Sequence, residues 1–389
     1  MATKEQIKGE IDRMKVILAA GGSGGHIFPC VSLASELERS GVRQIFFVSS
    51  KRRLDVNLLK DVTHPRFFLS VNPMPRKFTL KRTVVFALKC IWDLVMSFLI
   101  ILKVRPNVVV GFGGYSSGTI SLVAKLMFVP LVIHEQNVVP GRANVILSRF
   151  ADKIALSFKL GALYFGKYEK KTVLTGNPIR VDMLTNDRKA SAERLGISPD
   201  KDTVLVMGGS QGSGFLNKML LDVAGDVSEK KDNTVQFIHI TGQSPDHETV
   251  KNSYLERNIP GKVISFMERI DDAYAVSDVV VSRSGAAAIF ELAYYGKPMI
   301  LVPYPNPKNS QRSNAVFFAS SGAAVCREEK DLSCEQLGRD ILGILENKEK
   351  RAFMREAALK LAFPDSGKVL AEEVISSGSK KRKGIIANA

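Results

Sequence analysis

Short apolar runs rich in β-branched residues alternate along this chain with longer stretches of helical character. The first series of runs is 16–20, 45–48, 108–110, 131–133 and 154–156, and after a loop at 175–178 a second series follows at 204–207, 235–240, 263–266, 279–282 and 299–302. Such alternation is typical of βαβ units around a parallel sheet. The pattern therefore predicts an α/β protein with two Rossmann-like domains that face each other across a cleft.

The point at which the second series of apolar runs begins also predicts the domain boundaries. We expect an N-terminal extension at 1–14, a first Rossmann-like domain at 15–176, a second at 177–376 and a basic disordered tail at 377–389. A chain of 389 residues is long enough for two domains that each bury a core. The cations at 380–383 are typical of a solvated chain end.

Composition adds the class of protein and the compartment. Apolar residues make up 45% of the chain and charged residues 24%, which is a globular composition. The four cysteines show no CxxC spacing, unlike a disulfide framework or a zinc site, and fit a reducing compartment. The apolar run 16–20 is too short for the core of a signal peptide. We therefore expect a protein that stays in the cytoplasm.

The net charge of +16 lies almost entirely in the first half of the chain. Residues 1–176 carry 26 Lys and Arg against 11 Asp and Glu, whereas residues 177–389 carry 29 against 28. A basic half of this kind fits a nucleic acid, an anionic membrane or a phosphate-rich substrate. Nucleic acid binding needs aromatic residues interleaved with the cations, but the aromatic residues cluster with aliphatic ones at 86–98. We therefore expect no nucleic acid partner.

One apolar segment, 84–102, is nearly long enough to span a bilayer. It contains Lys89 and Asp93, and a charge near the centre of a span costs roughly 2.5–3.5 kcal/mol. A buried helix of the first domain is one alternative, and a helix that lies in a membrane interface is another. The segment PRKFTLKR (75–82) precedes it, and cations beside an aromatic, apolar helix are typical of binding to an anionic membrane surface.

Three glycine-rich loops follow predicted strands: GGSGGH at 21–26, GFGGYSSG at 111–118 and GGSQGSG at 208–214. Glycines let backbone amides approach a phosphate or a sugar, and a following helix start favours negative charge. One such loop is compatible with a simple turn, but three at the carboxyl ends of strands predict a phosphorylated, polyoxygenated ligand. NAD is not expected, because the second strand ends at Ser49 and Ser50 without the acidic residue that contacts the ribose.

The second domain adds two candidate segments. In SRSGAAAIFE (282–291) a strand runs through a glycine into a helix start whose amides suit a diphosphate. Further along this helix, the Glu291 carboxylate can accept from ribose hydroxyls, with a solvated helix residue as the alternative. Gln311 and Asn314 lie one turn apart on a later helix, and their amides suit sugar hydroxyls.

The candidate general base is His26, which closes the first glycine loop at a helix start. A neutral imidazole at this position can accept a proton at physiological pH. A histidine that only caps or packs is the alternative. His134 and Glu135, which belong to HEQN at the end of a strand, are second choices for the same role.

A metal-bound diphosphate would call for a DxD triplet at the ligand-binding edge. The triplet Asp200-Lys201-Asp202 lies in a turn before a strand, which is the opposite edge of the sheet. We therefore expect neither a metal nor a cofactor. Stabilisation of the leaving diphosphate is expected from loop amides, helix dipoles and hydroxyls such as those of Ser23 and Ser210.

With these motifs in order, the chain resembles the bacterial MurG family of N-acetylglucosaminyltransferases from about residue 15 to 375. The resemblance rests on AGGSGGHIFP, GFGGYSSG, HEQN, GNPIR, GGSQGS, SRSGA with Glu291, and QRSNA. It implies the GT-B fold, UDP-N-acetylglucosamine as donor, and lipid I, the undecaprenyl-linked muramoyl-pentapeptide, as acceptor. The implied reaction forms a β-1,4 linkage with inversion and completes lipid II for peptidoglycan synthesis. It also implies a peripheral enzyme on the cytoplasmic face of the plasma membrane, bound to the anionic surface through region 75–102.

The resemblance also implies a set of site residues. The donor-binding residues fall on Ser23, Gly24, Gly25 and Asn137 in the first domain and on Arg180, Ser210, Met267, Ala286, Ala287, Ala288, Ile289, Phe290, Glu291 and Gln311 in the second. His26 matches the candidate base of the family. Three positions depart from the family, with Ala288 in place of a frequent threonine, Thr119 in place of proline and Ser310 in place of histidine.

Two other activities use the same fold and stay open as alternatives. One is a sugar-nucleotide 2-epimerase, and the other is a glycolipid synthase with a different acceptor. The HEQN and GGYSSG segments argue against both.

Overall fold

The structure is a computed structural model that describes residues 4–70, 79–180, 187–209, 211–305 and 310–386. Contacts within the chain divide it into two compact units. Unit 1 comprises Met1–Arg180 together with Phe363–Ala389, and unit 2 comprises Val181–Ala362.

Unit 1 contains a parallel sheet of seven strands. The strands are β1 (Lys15–Ala19), β2 (Gln44–Ser50), β3 (Arg66–Leu69), β4 (Val108–Gly111), β5 (Leu131–Glu135), β6 (Lys153–Leu156) and β7 (Thr172–Leu174). Their order across the sheet is β3-β2-β1-β4-β5-β6-β7, so the direction of strand addition reverses between β1 and β4. Open α/β sheets bind ligands outside the carboxyl ends of the strands at such a reversal.

Helices cover both faces of this sheet. They are α1 (Lys4–Asp12), α2 (Gly24–Arg39), α3 (Arg53–Leu58), α4 (Leu80–Val104), α5 (Tyr115–Leu126), α6 (Arg142–Leu147) and a 3-10 segment at Lys159–Lys171 that is interrupted by a kink at Gly166. Alternate residues of β1 enter different clusters, with Val16 and Leu18 in one and Ile17 and Ala19 in the other. Successive side chains of a strand point to opposite faces, so both faces of the sheet are buried, as a parallel sheet requires.

Unit 2 contains a second parallel sheet, of six strands. They are β8 (Asp202–Met207), β9 (Val235–Ile240), β10 (Gly261–Ile264), β11 (Val279–Ser282), β12 (Met299–Leu301) and β13 (Ala324–Cys326). Their order is β10-β9-β8-β11-β12-β13, which reverses between β8 and β11. The expectation of two α/β units with parallel sheets is therefore confirmed.

The helices of unit 2 connect these strands. They are α7 (Arg188–Leu195), α8 (Gly214–Lys230), α9 (His247–Glu256), α10 (Ile270–Val276), α11 (Ala286–Tyr294), α12 (Gln311–Ser320), α13 (Cys334–Leu345) and α14 (Lys348–Leu361). Apolar residues of α8 and α13 form one cluster with those of β8 and β9. The core of unit 2 thus has the same helix-on-sheet construction as that of unit 1.

The last helix, α15 (Ser366–Ile386), belongs to unit 1 although it follows unit 2 in the chain. Leu370, Ala371 and Val374 are buried in the cluster that contains β1, and Lys153 forms an ion pair with Glu373. The expected limits of 177–376 for the second domain and 377–389 for a disordered tail therefore need correction. The apolar spacing of a helix shows that it packs on a core but not on which one.

Candidate functional site

Each unit places its glycine-rich loops at the point where the strand order reverses. In unit 1, loop 21–26 follows β1 and loop 111–118 follows β4, and these two strands are neighbours. In unit 2, loop 208–214 follows β8 and loop 283–285 follows β11, which are also neighbours. The motifs selected from the sequence therefore lie at the edge where a Rossmann-like unit binds its ligand.

The two glycine loops of unit 1 touch each other through their backbones. Gly114 has a φ of +84°, and a Cβ added there would lie 2.3 Å from the carbonyl oxygen of Gly21. Gly22 has a φ of +91°, which also favours glycine. A side chain at Gly114 would therefore drive the two loops apart.

His26 lies in the first turn of α2, against the glycine loop after β4, and is oriented by the carbonyl of Gly21. Its Nδ1 lies 2.9 Å from the carbonyl oxygen of Gly21, and a Cβ added at Gly113 would lie 3.4 Å from its Nε2. A carbonyl oxygen only accepts, so this hydrogen bond requires the proton to be on Nδ1. The lone pair of the neutral ring is then on Nε2, which is the nitrogen that can take a proton from a substrate.

Ser23, Gly24 and Gly25 form the start of α2. Ser23 is the N-cap residue, and its carbonyl accepts from the amides of His26 and Ile27, at 3.2 Å each. A Cβ added at Gly24 would lie 2.9 Å from the ring of Phe28, so the glycine allows this aromatic ring to cover the helix start. The resulting first turn carries backbone amides that suit an anionic group.

Arg180 belongs to unit 1 and not to the second domain in which the sequence placed it. Its guanidinium lies 4.8 Å from the centre of the Phe28 ring, at the distance of a cation–π contact. This cation therefore stands next to the start of α2.

Asn137 is held by the carboxylate of Glu135. Glu135 Oε1 accepts from the Asn137 backbone amide at 3.0 Å and from its Nδ2 at 3.1 Å. Glu135 Oε2 accepts from the Gly141 amide at 3.0 Å and from Asn144 Nδ2 at 2.8 Å. Since all these contacts shape the loop after β5, Glu135 positions Asn137 and is not available as a base.

His134 is fully buried and also serves the fold. Its Nε2 donates to the carbonyl of Gly176 (3.0 Å), while Nδ1 accepts from Gln136 Nε2 (3.0 Å). Burial lowers the pKa of His134 to about 4, against the opposing effect of the Gly176 carbonyl. The second-choice bases His134 and Glu135 are therefore structural residues, and His26 remains as the candidate.

In unit 2, the start of α11 presents backbone amides. Gly285 is the N-cap residue, and its carbonyl accepts from the Ile289 amide at 3.1 Å. The amides that an anion can use are consequently those of Ala286, Ala287 and Ala288. The side chains of Ile289 and Phe290 are buried, so these two residues contribute to the site through the backbone and through packing.

Glu291 is buried and has a defined partner. Its Oε2 accepts from the hydroxyl of Tyr274 at 2.8 Å, which rules out the alternative of a solvated helix residue. Sequence reasoning missed Tyr274 because this tyrosine lies on α10, with one strand between the two helices. Nothing local marks it as a partner of Glu291.

Arg283 belongs to the SRSGAAAIFE motif, but the motif by itself predicted no role for it. Its guanidinium donates to Ser213 Oγ at 2.7 Å and to the carbonyls of Val302 and Pro303 at 3.1 and 3.2 Å, and it forms an ion pair with Glu329 at 2.6 Å. Ser213 caps α8 at the end of the glycine loop. One buried cation thus fixes two loops at the carboxyl edge of the sheet.

The remaining predicted residues of unit 2 lie on α12, in the loop after β10, or outside the described residues. Gln311 accepts from the Tyr304 amide through Oε1 (3.0 Å), and its carbonyl accepts from Ser284 Oγ (2.8 Å). Asn314 is buried and donates to the Ser284 carbonyl, so it supports the loop. Met267 is half-buried in the loop after β10, whereas Ser210 lies outside the described residues.

The acidic triplet lies at the opposite edge, as expected. Asp202 begins β8, and its Oδ1 accepts from Arg351 at 3.1 Å. Within the described ranges there is no group of three His, Cys, Asp or Glu side chains that could hold a metal ion.

Helix α4 forms a separate apolar surface. Nine large apolar side chains on it are between 45% and 61% exposed: Val84, Val85, Leu88, Ile91, Trp92, Val95, Phe98, Leu99 and Leu102. By length and composition alone, Thr83–Val104 could cross a membrane. The charged residue at its centre, Asp93, points into the unit and accepts from the Ser70 amide at 2.8 Å. The cationic residues Arg76 and Lys77 lie outside the described ranges.

Two family models match separate parts of the chain, and the first boundary between the units, after Arg180, lies in the gap between them. The model of the glycosyltransferase family 28 N-terminal domain matches residues 16–156, and that of the family 28 C-terminal domain matches residues 203–370.

Two curated relatives bear the name UDP-N-acetylglucosamine--N-acetylmuramyl-(pentapeptide) pyrophosphoryl-undecaprenol N-acetylglucosamine transferase. The protein from Desulforamulus reducens is 34% identical over 364 residues, which are 91% of this chain and 96% of the relative. The protein from Flavobacterium psychrophilum is 33% identical over 369 residues, which are 94% of this chain and 98% of the relative.

Solved structures support the same fold. MurG from Acinetobacter baumannii matches with a TM-score of 0.70 at 25% identity, over 92% of this chain and 99% of that one. A UDP-GlcNAc 2-epimerase from Neisseria meningitidis, bound to UDP-GlcNAc, matches with a TM-score of 0.64 at 16% identity, over 93% of this chain and 100% of that one. The second likeness shows the fold alone. Together they confirm the expected two-domain GT-B fold.

Proposed function

Because the chain belongs to the MurG family of glycosyltransferases, we propose that it transfers N-acetylglucosamine from UDP-N-acetylglucosamine to lipid I and so forms lipid II for peptidoglycan synthesis. The observation that carries this proposal is the placement of His26. It lies at the strand reversal of unit 1, at the start of α2 and against the glycine loop after β4, with its Nδ1 occupied by a carbonyl and its Nε2 left for the substrate.

The chemistry follows from that geometry. His26 Nε2 accepts the proton of the muramoyl 4-hydroxyl, and the oxygen forms a bond to the anomeric carbon of the donor sugar. The bond between this carbon and the diphosphate breaks, and its electron pair leaves with UDP. A single displacement of this kind inverts the anomeric configuration and gives a β linkage from an α-linked donor.

We assign the nucleotide of the donor to unit 2. The amides of Ala286 to Ala288 suit the diphosphate, and Glu291, fixed by Tyr274, suits the ribose hydroxyls. Met267, in the loop after β10, and Gln311, at the start of α12, belong to the same proposal, as does Ser210. The donor-binding roles of Ser23, Gly24, Gly25, Asn137 and Arg180 are likewise proposed, on the basis of their positions beside the loops of unit 1.

Stabilisation of the leaving UDP is proposed to need no metal. The support is positive: helix starts and loop amides converge on the ligand edge of each sheet, whereas the acidic triplet ends at the opposite edge. The test is activity in EDTA. If EDTA abolished transfer and Mg²⁺ restored it, a metal would have to carry the diphosphate.

The function is tested by transfer of labelled sugar to a lipid I analogue. We expect a labelled disaccharide from UDP-N-acetylglucosamine, undiminished by an excess of UDP-glucose or UDP-galactose. Formation of an epimerised sugar nucleotide without acceptor would instead indicate the 2-epimerase activity. Transfer to a different lipid acceptor but not to the lipid I analogue would indicate a glycolipid synthase.

We also propose that the enzyme is peripheral to the cytoplasmic face of the plasma membrane and contacts its anionic surface through region 75–102. The support is the exposed apolar side of α4. Its packed side carries Asp93 and Ser97, both buried, and α5 lies against the helix. A helix that is packed on one side and apolar on the other fits a membrane interface better than a span.

A further inference from the structure

Beneath the first glycine loop lies a carboxylate that the proposed mechanism has not used. Asp55 belongs to α3 and is completely buried. Both of its oxygens lie 3.0 Å from the backbone nitrogen of Gly22, and it also accepts from the hydroxyl of Ser50. A buried carboxylate is costly unless it is hydrogen-bonded, so these contacts account for its burial.

The position of this contact relative to His26 is the key observation. The nitrogen of Gly22 and the carbonyl oxygen of Gly21 belong to one peptide group. Asp55 accepts from the N–H of that group, and His26 Nδ1 donates to its C=O at 2.9 Å. The carboxylate and the imidazole are therefore connected through a single peptide unit.

We propose that Asp55 is a positioning residue that acts on His26 through the 21–22 peptide, as an indirect acid–histidine pair. This inference rests on the proposed role of His26 as the base. A carboxylate hydrogen-bonded to the N–H polarises the peptide and strengthens its carbonyl as an acceptor, because hydrogen bonds in a chain reinforce one another. The effect is to keep the Nδ1–H tautomer and to stabilise the imidazolium that forms when Nε2 takes the substrate proton.

No proton passes along the hydrogen bonds from Asp55 through the 21–22 peptide to His26. The proton of the acceptor hydroxyl moves to His26 Nε2 and is released from there to water, while the peptide keeps its N–H and Asp55 only accepts hydrogen bonds. Gly21 packs closely against this carboxylate: a Cβ added there would lie 2.9 Å from Asp55 Oδ2 and 2.6 Å from the hydroxyl oxygen of Ser116, so a side chain at Gly21 would displace Asp55. Arg52 approaches the following peptide, with its guanidinium 3.4 Å from the carbonyl oxygen of Gly22.

The kinetic test is Asp55→Asn, which keeps the shape and removes the charge. We expect kcat to fall about 10-fold to 100-fold while KM for UDP-N-acetylglucosamine stays within about 2-fold, because the loss acts on the proton transfer. Asp55→Glu, which restores the carboxylate, is expected to recover part of the rate. The matched control is Asp152→Asn, which removes a carboxylate that accepts from the Leu131 amide elsewhere in unit 1. This control is expected to keep kcat.

A double-mutant cycle separates an action through His26 from a general loss of structure. Asp55→Asn introduced into the His26→Ala protein is expected to cause no further loss of kcat, because the group through which it acts is gone. If the second substitution lowers the residual rate by the same factor as in the wild type, Asp55 acts independently of His26 and the proposal is overturned.

A spectroscopic readout tests the contact without any assay of transfer. With nitrogen-15-labelled histidine, the chain gives five imidazole signal pairs, and His26→Ala identifies that of His26. We expect the Nδ1–H tautomer in the wild type and a weaker preference for it in Asp55→Asn. An Nε2–H tautomer in the wild type would overturn the inference. Full turnover by His26→Ala would instead overturn the proposed base, and the two failures are thus distinguishable.

Discussion

At the scale of single residues, hydrogen bonds between positions far apart in the sequence hold the side chains of the candidate site. The sequence supplied His26, Glu291 and the glycines, since each belongs to a local pattern. It missed Asp55 and Tyr274, because hydrogen bonds to them span 33 and 17 positions. A pairing over such distances depends on which helices and strands become neighbours, and no short motif encodes it.

The first residue-scale prediction concerns the base. His26→Ala is expected to lower kcat by about 100-fold or more, the range of general base catalysis, while binding of UDP stays near the wild-type value. Titration calorimetry with UDP and the labelled-sugar assay measure the two quantities. A collapse of UDP binding would show that His26 is a ligand contact or a structural residue.

The second residue-scale prediction concerns Arg283. Its planar guanidinium donates hydrogen bonds to Ser213 and to the carbonyls of Val302 and Pro303 at the same time. A lysine cannot reproduce this planar fork of donors, so Arg283→Lys is expected to raise KM for UDP-N-acetylglucosamine about 10-fold. The matched control is Arg188→Lys. Arg188 makes a comparable fork to Asp278 and the Pro199 and Lys201 carbonyls before β8 and β11, at the amino edge of the same sheet.

If KM rose equally in Arg283→Lys and Arg188→Lys, we would infer that the change in Arg283→Lys reflects a general loss of stability and not a loss at the nucleotide site. Thermal unfolding of the two proteins, measured with and without UDP, provides the comparison. Arg283→Lys alone is expected to lose stabilisation by UDP.

At the scale of elements, every central strand was predicted, whereas β10 was the one edge strand of the described sheets that was predicted. Neither β3, β7 nor β13 was expected, and each is a strand of three or four residues at the edge of a sheet. A central strand of a parallel sheet is buried on both faces and reads as a continuous apolar run. β3 and β7 carry polar residues such as Arg66 and Thr172, and β13 is an apolar run of only three residues, so the pattern of each is weak.

The element-scale prediction concerns α4. The double substitution Leu88→Gln and Trp92→Gln removes two exposed apolar side chains without adding charge. If they enter the membrane, each contributes about 1.5–3 kcal/mol, so binding to phosphatidylglycerol vesicles is expected to fall by more than about 10-fold. Phe353→Gln, at an equally exposed aromatic residue of α14, serves as the control. Unchanged vesicle pelleting of the α4 variant would exclude this helix as the contact.

At the scale of the whole molecule, each unit buries a histidine in neutral form. Burial lowers the pKa of His134 in unit 1 and of His239 in unit 2 to about 4, against an ordinary value of 6.5. The unfolded chain therefore binds more protons than the folded one between these values. The contribution of each buried histidine to the free energy of unfolding is therefore fully present above pH 6.5. It declines by roughly 3 kcal/mol per histidine as the pH falls towards 4.

Urea unfolding at about pH 7.5 and about pH 5 measures this decline. His239→Gln is expected to lower stability at the higher pH, because His239 contacts Asn217 and Tyr254, and to flatten the acid dependence of unit 2. An acid dependence as steep in the variant as in the wild type would contradict the assignment to this histidine.

The return of α15 to unit 1 sets the order in which the units can be completed during synthesis. Unit 2 is one continuous segment, Val181–Ala362, so its core is complete before the last helix leaves the ribosome. The core of unit 1 is completed only after Leu370, Ala371 and Val374 have been synthesised, because these residues are buried in the cluster beside β1. Multidomain chains usually complete their N-terminal domain first, whereas the nascent chain of this enzyme completes unit 2 before unit 1, which carries His26.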